Sequence, residues 1–331
     1  MPVNRHDILI AFDVTNGNPN GDPDAGNMPR TEPNSGKGLV SDVCLKRKVR
    51  NFVSMLYPEQ RKDNPRPMTN LYDILVQQGN ILNTEIQKCT DAVAGSTGEG
   101  EGGKKTKRAK STDGTNVAEL AMKNLCKTFF DVRTFGGVLS TGDDVLKGSA
   151  YGQVRGPVQF TLGMSVDPIT TQEITLTRCA VTKEEDAAKE RTMGHKHIVP
   201  YGLYVAKAFV SPLFADKTGF DEGDLKLFFE ALTHLFSNDQ SAARAEMAVR
   251  VVYDFEHIGT QPASNASQNR REQQLGCAHS HKLFESIHIK KMEIATTFPT
   301  SFTDYDIDLL GWNEDGTNPA FPGVTLHRLV G

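Results

Sequence analysis

Apolar residues fall along the chain in three kinds of pattern, and each predicts a different element. The first is a continuous run. Residues 8–14 are apolar apart from Asp13 and are bounded by turn formers, the mark of a strand buried on both faces. The stretch that follows, as far as Gly38, is rich in Gly, Asn, Asp and Pro and has no period of its own, which predicts a long loop of the kind that is usually functional or disordered. The second pattern is helical. Ser41 with Asp42 can open a helix in which Leu45, Val49, Phe52, Val53 and Leu56 share one face, while Lys46, Arg47 and Arg50 gather on another side. The sharpest helix starts at Asp221 as N-cap and carries Leu225, Phe228, Phe229, Leu232, Leu235 and Phe236. The third pattern is strand-like. It returns over 129–139 and 156–166, and again over 175–182, 198–210, 250–255 and 284–290.

Between these runs the signal weakens. Residues 57–122 read as an insertion broken by Pro58, Pro65 and Pro67, with a helix predicted over 70–78 and a low-complexity Gly/Lys-rich segment over 95–110 that cannot bury enough apolar surface to order itself. The polar stretch 183–196 reads as a hairpin-like excursion from the core. A short helix is predicted over 241–249 and a loop over 259–278, and the last forty residues show little periodicity. There is no internal repeat.

Composition narrows the class. A length of 331 residues suits about two domains, or one with large insertions, and 38% hydrophobic with 24% charged residues suits an ordinary globular protein. The N-terminal residues carry no apolar signal core and no apolar run is long enough to span a membrane, so a cytoplasmic protein without membrane contact is expected. Five scattered cysteines with no C-x-x-C pair point to reduced thiols and not to disulfides or a structural zinc site. The formal charge of −4 argues against general affinity for nucleic acid, yet residues 41–66 hold seven Lys/Arg against three Asp/Glu, and a local basic groove can bind phosphates on a mildly acidic molecule. Taken alone, that basic face reads first as an ordinary solvated helix surface.

Several motif look-alikes fail on chemistry. Gly98-x-x-x-x-Gly103-Lys104 imitates a P-loop, but Lys105 stands where Ser or Thr must hold magnesium, and no strand precedes it. The Asn16, Asn18, Asn20, Gly21 spacing imitates a calcium loop whose twelfth position, Asn27, is not the required Glu. Cys277, His279 and His281 would share one side of a strand but lack a fourth ligand, so no metal or other cofactor is expected. His195 and His197 raise acid–base cleavage of RNA, but they lie in the excursion and not on a rigid element. What remains is a binding surface: Gly and Asn let backbone N–H groups approach an anion, and Lys46, Arg47 and Arg50 add charge-assisted contacts.

Four segments carry a resemblance. Residues 12–24 (Phe-Asp-Val-Thr-Asn-Gly-Asn-Pro-Asn-Gly-Asp-Pro-Asp), 42–48 (Asp-Val-Cys-Leu-Lys-Arg-Lys), 131–137 (Asp-Val-Arg-Thr-Phe-Gly-Gly), and 191–194 with 196–202 (Arg-Thr-Met-Gly, Lys-His-Ile-Val-Pro-Tyr-Gly) closely resemble the backbone, CRISPR RNA-binding subunit of the type I-C CRISPR Cascade complex, a member of the RAMP superfamily. The likeness covers nearly the whole chain except 95–110. It implies an α+β fold with a modified RRM-like (ferredoxin-like) palm, inserted helical fingers and a β-hairpin thumb. The palm then takes 1–55, 128–166 and, with a C-terminal segment, 203–331; the fingers take 56–127, disordered over 95–115; the thumb takes 167–202. It further implies a non-catalytic subunit that polymerises along the guide RNA as a homo-oligomeric filament in antiviral defence. The guide pairs with target DNA as an RNA–DNA heteroduplex, so specificity lies in the RNA. End-capping, large and small Cascade subunits are the other implied partners. On this reading Lys46, Arg47 and Arg50 grip phosphates, with Asn18, Asn20 and Ser41 beside them, and Met193 wedges against a displaced base. Arg30, Gly136, Gly137, Arg155, Thr192 and Lys196 are further RNA-binding candidates. The alternative is a ribonuclease of the same superfamily.

Overall fold

A computed structural model describes residues 2–57, 71–96, 116–142, 145–180, 193–244, 246–293 and 298–331. Its organising strand is β1 (His6–Gly17), whose side chains alternate between two cores. Ile8, Ile10, Phe12 and Val14 enter one apolar cluster and Leu9 and Ala11 the other, which is why the run shows no polar alternation. The loop after β1 folds into a small hairpin of β2 (Gly21–Asp22) and β3 (Met28–Pro29), then β4 (Lys37–Val40) leads into α1 (Asp42–Leu56). The inserted helices are α2 (Leu82–Ser96), α3 (Val117–Thr128) and the short α4 (Phe130–Phe135). Next come β5 (Gly136–Val138) paired with β6 (Gln153–Arg155), then β7 (Val158–Phe160), β8 (Gly163–Pro168) and β9 (Gln172–Thr177). The long β10 (Met193–Val210) precedes α5 (Pro212–Thr218), α6 (Glu222–Thr233) and β11 (Glu246–His257). The C-terminal part holds α7 (Ala266–Leu275), α8 (Ser280–Glu285), β12 (Ile287–Lys291), β13 (Tyr305–Leu309) and β14 (Val324–Val330).

The main sheet has eight strands, with β14, β11, β1, β10, β8 and β4 in spatial order and β7 and β9 also paired to β10. Every ladder in it is antiparallel. Following β1, α1, β8, β10, α6 and β11 along the chain gives the βαββαβ path of a ferredoxin-like unit, with strand order β11-β1-β10-β8. The fold is therefore α+β around a central antiparallel sheet. Helices α1 and α6 cover one face through Leu45, Val49, Phe52, Leu225, Phe228 and Leu232. The opposite face is covered by the C-terminal part, through Leu283, Phe284, Ile287, Tyr305 and Trp312 packed on Tyr253 and Phe255. A third cluster, built from Leu75, Ile86, Ala121, Leu125, Val132 and Leu146, belongs to the inserted region.

The inserted region is joined to the sheet-and-helix unit by a buried polar seam. Arg133 is fully buried and donates to both Asp224 oxygens at 2.8 and 2.7 Å, and to the carbonyls of Cys126 at 2.7 Å and Leu71 at 3.0 Å. Two residues earlier, Asp131 accepts from the backbone N–H groups of Leu75 and Val76 and from Arg50 Nε. Buried charges survive only where they are paired and bonded in this way.

β10 is 18 residues long, about 60 Å at the usual strand rise. Its pairing with β1 ends at the Gly17–Val199 rung, and residues 193–198 pair with β9 instead, so the strand runs out of the main sheet into a two-stranded hairpin. Among the described residues no helix is long and apolar enough to cross a membrane.

Several local expectations change. The helix predicted over 70–78 is not formed in its described part, because Leu71 N–H, Asp73 C=O and the amides of Leu75 and Val76 are all bonded to residues 127–131. Strand-like 129–139 is a strand only at β5; its first part holds α4, whose six residues are all buried, so the alternation there carried no information about facing. The helix expected over 241–249 is a tight turn, Ser241 and Arg244 exchanging backbone bonds, followed directly by β11. The loop expected over 259–278 contains α7, which buries no residue and so has no apolar stripe to read. Cys277, His279 and His281 do not line a strand: His279 is the N-cap residue of α8, and its ring stacks on His281. Of the segment expected to be disordered over 95–115, Gly95 and Ser96 instead close α2 and residues 97–115 lie outside the described residues, as do the polar residues 183–192.

Candidate nucleic-acid interface

The first group of candidate residues shapes the loop leading to α1. Ser41 is the N-cap, its Oγ accepting from Cys44 N–H at 3.3 Å. Its own N–H donates to Asn20 Oδ1 at 2.8 Å. Asn18 is buried, donates from Nδ2 to Asn27 C=O at 2.7 Å, and is fixed at its backbone N–H by Ala243 C=O at 2.6 Å. Asn16 and Asn27 hold φ of 50° and 65°, the left-handed region that Asn tolerates better than most side chains. Arg30 pairs with Asp22 at 3.3 Å. These side chains build the loop and leave little of themselves for a ligand.

The second group lies along α1. Lys46 Nζ is 3.0 Å from Asp42 Oδ2, one turn earlier, and 3.5 Å from Gln159 Oε1. Arg50 Nε is 2.9 Å from Asp131 Oδ2, and both side chains are mostly covered. Both cations also lie over the Phe135 ring, Lys46 Nζ at 6.0 Å and the Arg50 guanidinium carbon at 5.3 Å from its centroid. Arg47, one position on from Lys46, is exposed.

Phe135 ends α4 and runs into Gly136-Gly137, which pair with Arg155 and Val154 of β6. Gly136 has φ of 74°, and a Cβ there would come within 2.2 Å of Val154 C=O, so the fold itself requires glycine. At Gly137 the nearest atom to an added Cβ is 3.8 Å away, so this glycine leaves its backbone open to close approach. Gln159 Nε2 donates to the carbonyls of Phe135 and Gly156, fixing the β5–β6 pair beside Lys46. Arg155 is exposed.

Lys46, Arg50, Gly136 and, across the β5–β6 rung, Arg155 are thus brought together beside Phe135 from three separate stretches of sequence, with Gly137 next along β5, exposed Arg47 on the same helix as Lys46, and Asn20 and Ser41 at that helix's N-terminal end. Met193 and Lys196 are elsewhere, on the hairpin: Met193 is 65% exposed opposite Thr177, and Lys196 is half-buried opposite Ile174. Thr192 lies outside the described residues.

Three charged residues escaped the sequence reading. Lys48 is buried against Asp239, and the same carboxylate takes Arg244 Nε at 2.9 Å. This anchors the turn whose Ala243 C=O holds Asn18. The available signal was position: Lys48 follows Leu45 by three and precedes Val49, so it sits at the margin of the apolar face.

The chemistry on offer is electrostatic. Arg47 on α1 and Arg155 on β6 are exposed, and the sheet face away from the helices, which an RRM uses for stacking bases, is filled by Trp312, Tyr305 and Phe284. Burial pushes the Cys44 thiol up, so the one cysteine on α1 is not a poised thiolate. Among the described residues no group of three or more His, Cys, Asp or Glu is placed to hold a metal ion.

A CRISPR-associated protein Cas7 of Haloferax volcanii is 26% identical over 270 residues, covering 76% of this chain and 71% of the relative. Among solved structures, a chain of a CRISPR RNA-guided surveillance complex, pre-nicking, is similar with a TM-score of 0.44 at 16% identity, covering 83% of each chain. A chain of a type III-B Cmr-beta complex bound to cognate target RNA gives a TM-score of 0.38 at 9% identity, covering 75% of this chain and 60% of its own. The profile of the family described as CRISPR-associated protein Cas7 matches residues 4–310, from the start of β1's approach through β13, so the ferredoxin-like unit, the inserted helices and the hairpin all fall within it, and the chain belongs to the Cas7 family.

Proposed function

We propose that this Cas7-family chain is a non-catalytic CRISPR RNA-binding subunit that polymerises along the guide to form the backbone of a type I-C Cascade complex and presents it for pairing with target DNA. The observation that carries the reading is the meeting of α1's cations with the open Gly137 backbone and Arg155, residues separated by about a hundred positions in sequence. A phosphate chain suits such a surface, since charged side chains hold it without reading bases. In this reading residues 1–55, 128–166 and 203–331 serve as palm with the C-terminal segment, 56–127 as fingers and 167–202 as thumb. The extension of β10 beyond β1 supports the thumb assignment, and the separate core of the inserted region supports the fingers. Met193 is the proposed wedge.

Purification of the full chain co-expressed with a CRISPR array tests the proposal. The expected result is RNA of uniform length bound to particles larger than a monomer, with that RNA intact in the presence and absence of divalent metal. A monomer free of RNA overturns the reading, and progressive cleavage abolished by His195→Ala or chelation replaces it with the ribonuclease.

A further inference from the structure

Apart from the exposed Arg47, the cations of α1 and of the loop and turn beside it are already matched with carboxylates: Lys46 with Asp42, Lys48 and Arg244 with Asp239, Arg50 with Asp131, and Arg30 with Asp22. The carboxylates differ in what else they do. Asp131 is 1% exposed and holds two backbone amides, Asp239 joins two cations across two elements, and Asp22 caps the Asp24 amide. Asp42 is different. Its side chain is 36% exposed, and among the described residues Lys46 is its bonding partner, one helical turn away. It supports no loop and closes no seam. It stands in the first turn of the helix whose Lys46 and Arg50 lie over the Phe135 ring, one turn before Lys46.

From this we infer that Asp42 is an attenuator of the RNA grip, a carboxylate that occupies Lys46 until a phosphate displaces it. The inference rests on the RNA-binding reading above. When phosphate replaces Asp42 on Lys46, the counterion released from the RNA is offset by one taken up at Asp42, so the contact adds almost nothing to net ion release. Affinity is thereby held below what the basic helix could deliver, and binding depends on many modest contacts along the strand.

The test is binding of fluorescein-labelled oligouridine to the full-length chain across a sodium chloride titration, for the wild type, Asp42→Asn, Lys46→Ala and the double variant. The expected result is that Asp42→Asn steepens the log–log salt slope by about 0.7, one extra phosphate contact, and so binds about fivefold tighter near 0.1 M salt while converging with the wild type near 1 M. In the Lys46→Ala background the same change should do nothing. Asp42→Ser, which keeps an oxygen in the first turn, is run beside Asp42→Asn to separate loss of charge from loss of helix stability, and both must give the gain. Unchanged or weaker binding, a gain at unaltered slope, or a gain that persists without Lys46 overturns the inference alone. Absence of wild-type binding at every salt concentration overturns the RNA-binding reading, and this inference with it.

Discussion

The seam around Arg133 and the hairpin of β9 with distal β10 use polar groups in opposite ways. In the seam, Arg133 and Asp224 are fully buried and every guanidinium nitrogen has a partner, so neither can change alone without stranding a charge in a low-dielectric interior. In the hairpin, Met193, Gly194 and His195 are exposed, and the His195 ring, 2.6 Å from Glu173, is open to water as its partner is. The seam holds the inserted region to the sheet. The hairpin has little to hold and is free to meet a ligand. Exposure, more than residue type, separates the polar groups that hold this molecule together from those left open to solvent.

Arg133→Ala should break the comparison most severely, destabilising the chain by ~3–5 kcal/mol because the Asp224 carboxylate is left buried and unpaired. Denaturant unfolding measures it, and a loss below ~1 kcal/mol would mean that Asp224 finds another partner. Gly136→Ala comes next: φ of 74° and ψ of −171° place Gly136 in a region essentially reserved for glycine, and the expected cost is about 1–3 kcal/mol, read as a lowered unfolding midpoint. At the hairpin, Met193→Ala should leave stability within ~0.5 kcal/mol of the wild type while weakening RNA retention. A large stability loss there would contradict the assignment of the hairpin as contact surface.

The smallest effect is expected at a partly exposed pair remote from both regions, Glu256 with His327 at 2.8 Å. The His327 hydrogen bond holds the Glu256 carboxyl down at about 2, against burial that opposes it, and the same bond raises the His327 imidazole above its ordinary value. Glu256's contribution is complete above the ordinary carboxyl value of 4.5 and is lost as pH falls toward about 2. His327's is complete below 6.5 and is lost as pH rises through its raised value. The stability difference between the wild type and His327→Ala should therefore be widest between pH 4.5 and 6.5 and should narrow on either side. Thermal unfolding across that range measures it, and a difference that does not vary with pH would place the pair outside the stability balance.

Much of the fold was legible because some segments state their environment locally. The run through Ile8, Ile10, Phe12 and Val14 could only be a strand covered on both sides, and Asp221 with Leu225, Phe228 and Leu232 gave a helix whose expected N-cap, Asp221, is in place. The basic side of α1 was legible too, since Lys46, Arg47 and Arg50 follow from helical geometry alone. Arg50 shows the limit. Helical spacing puts it beside Lys46 but does not reveal Asp131, eighty-one positions away, which holds it. Lys48 shows the converse, a lysine that sequence would leave in solvent and that the approach of Asp239 draws into the interior. α4 and α7 were misread for opposite reasons, one buried on every side and one on none, so neither had a contrast between faces from which a period could be read.

By itself, then, the sequence determined those features that depend on near neighbours along the chain: strand β1, the capped helices, the glycine-rich loop and the basic stripe on α1. The tertiary structure alone decided which charges are free. Whether a cation is available to a ligand depends on the nearest carboxylate in space, and folding brings Asp131 to Arg50, Asp239 to Lys48 and the Phe135 ring to Lys46 and Arg50. Coulomb interaction and desolvation act over a few ångströms in space whatever the separation along the chain, so no local reading of residues could have settled it.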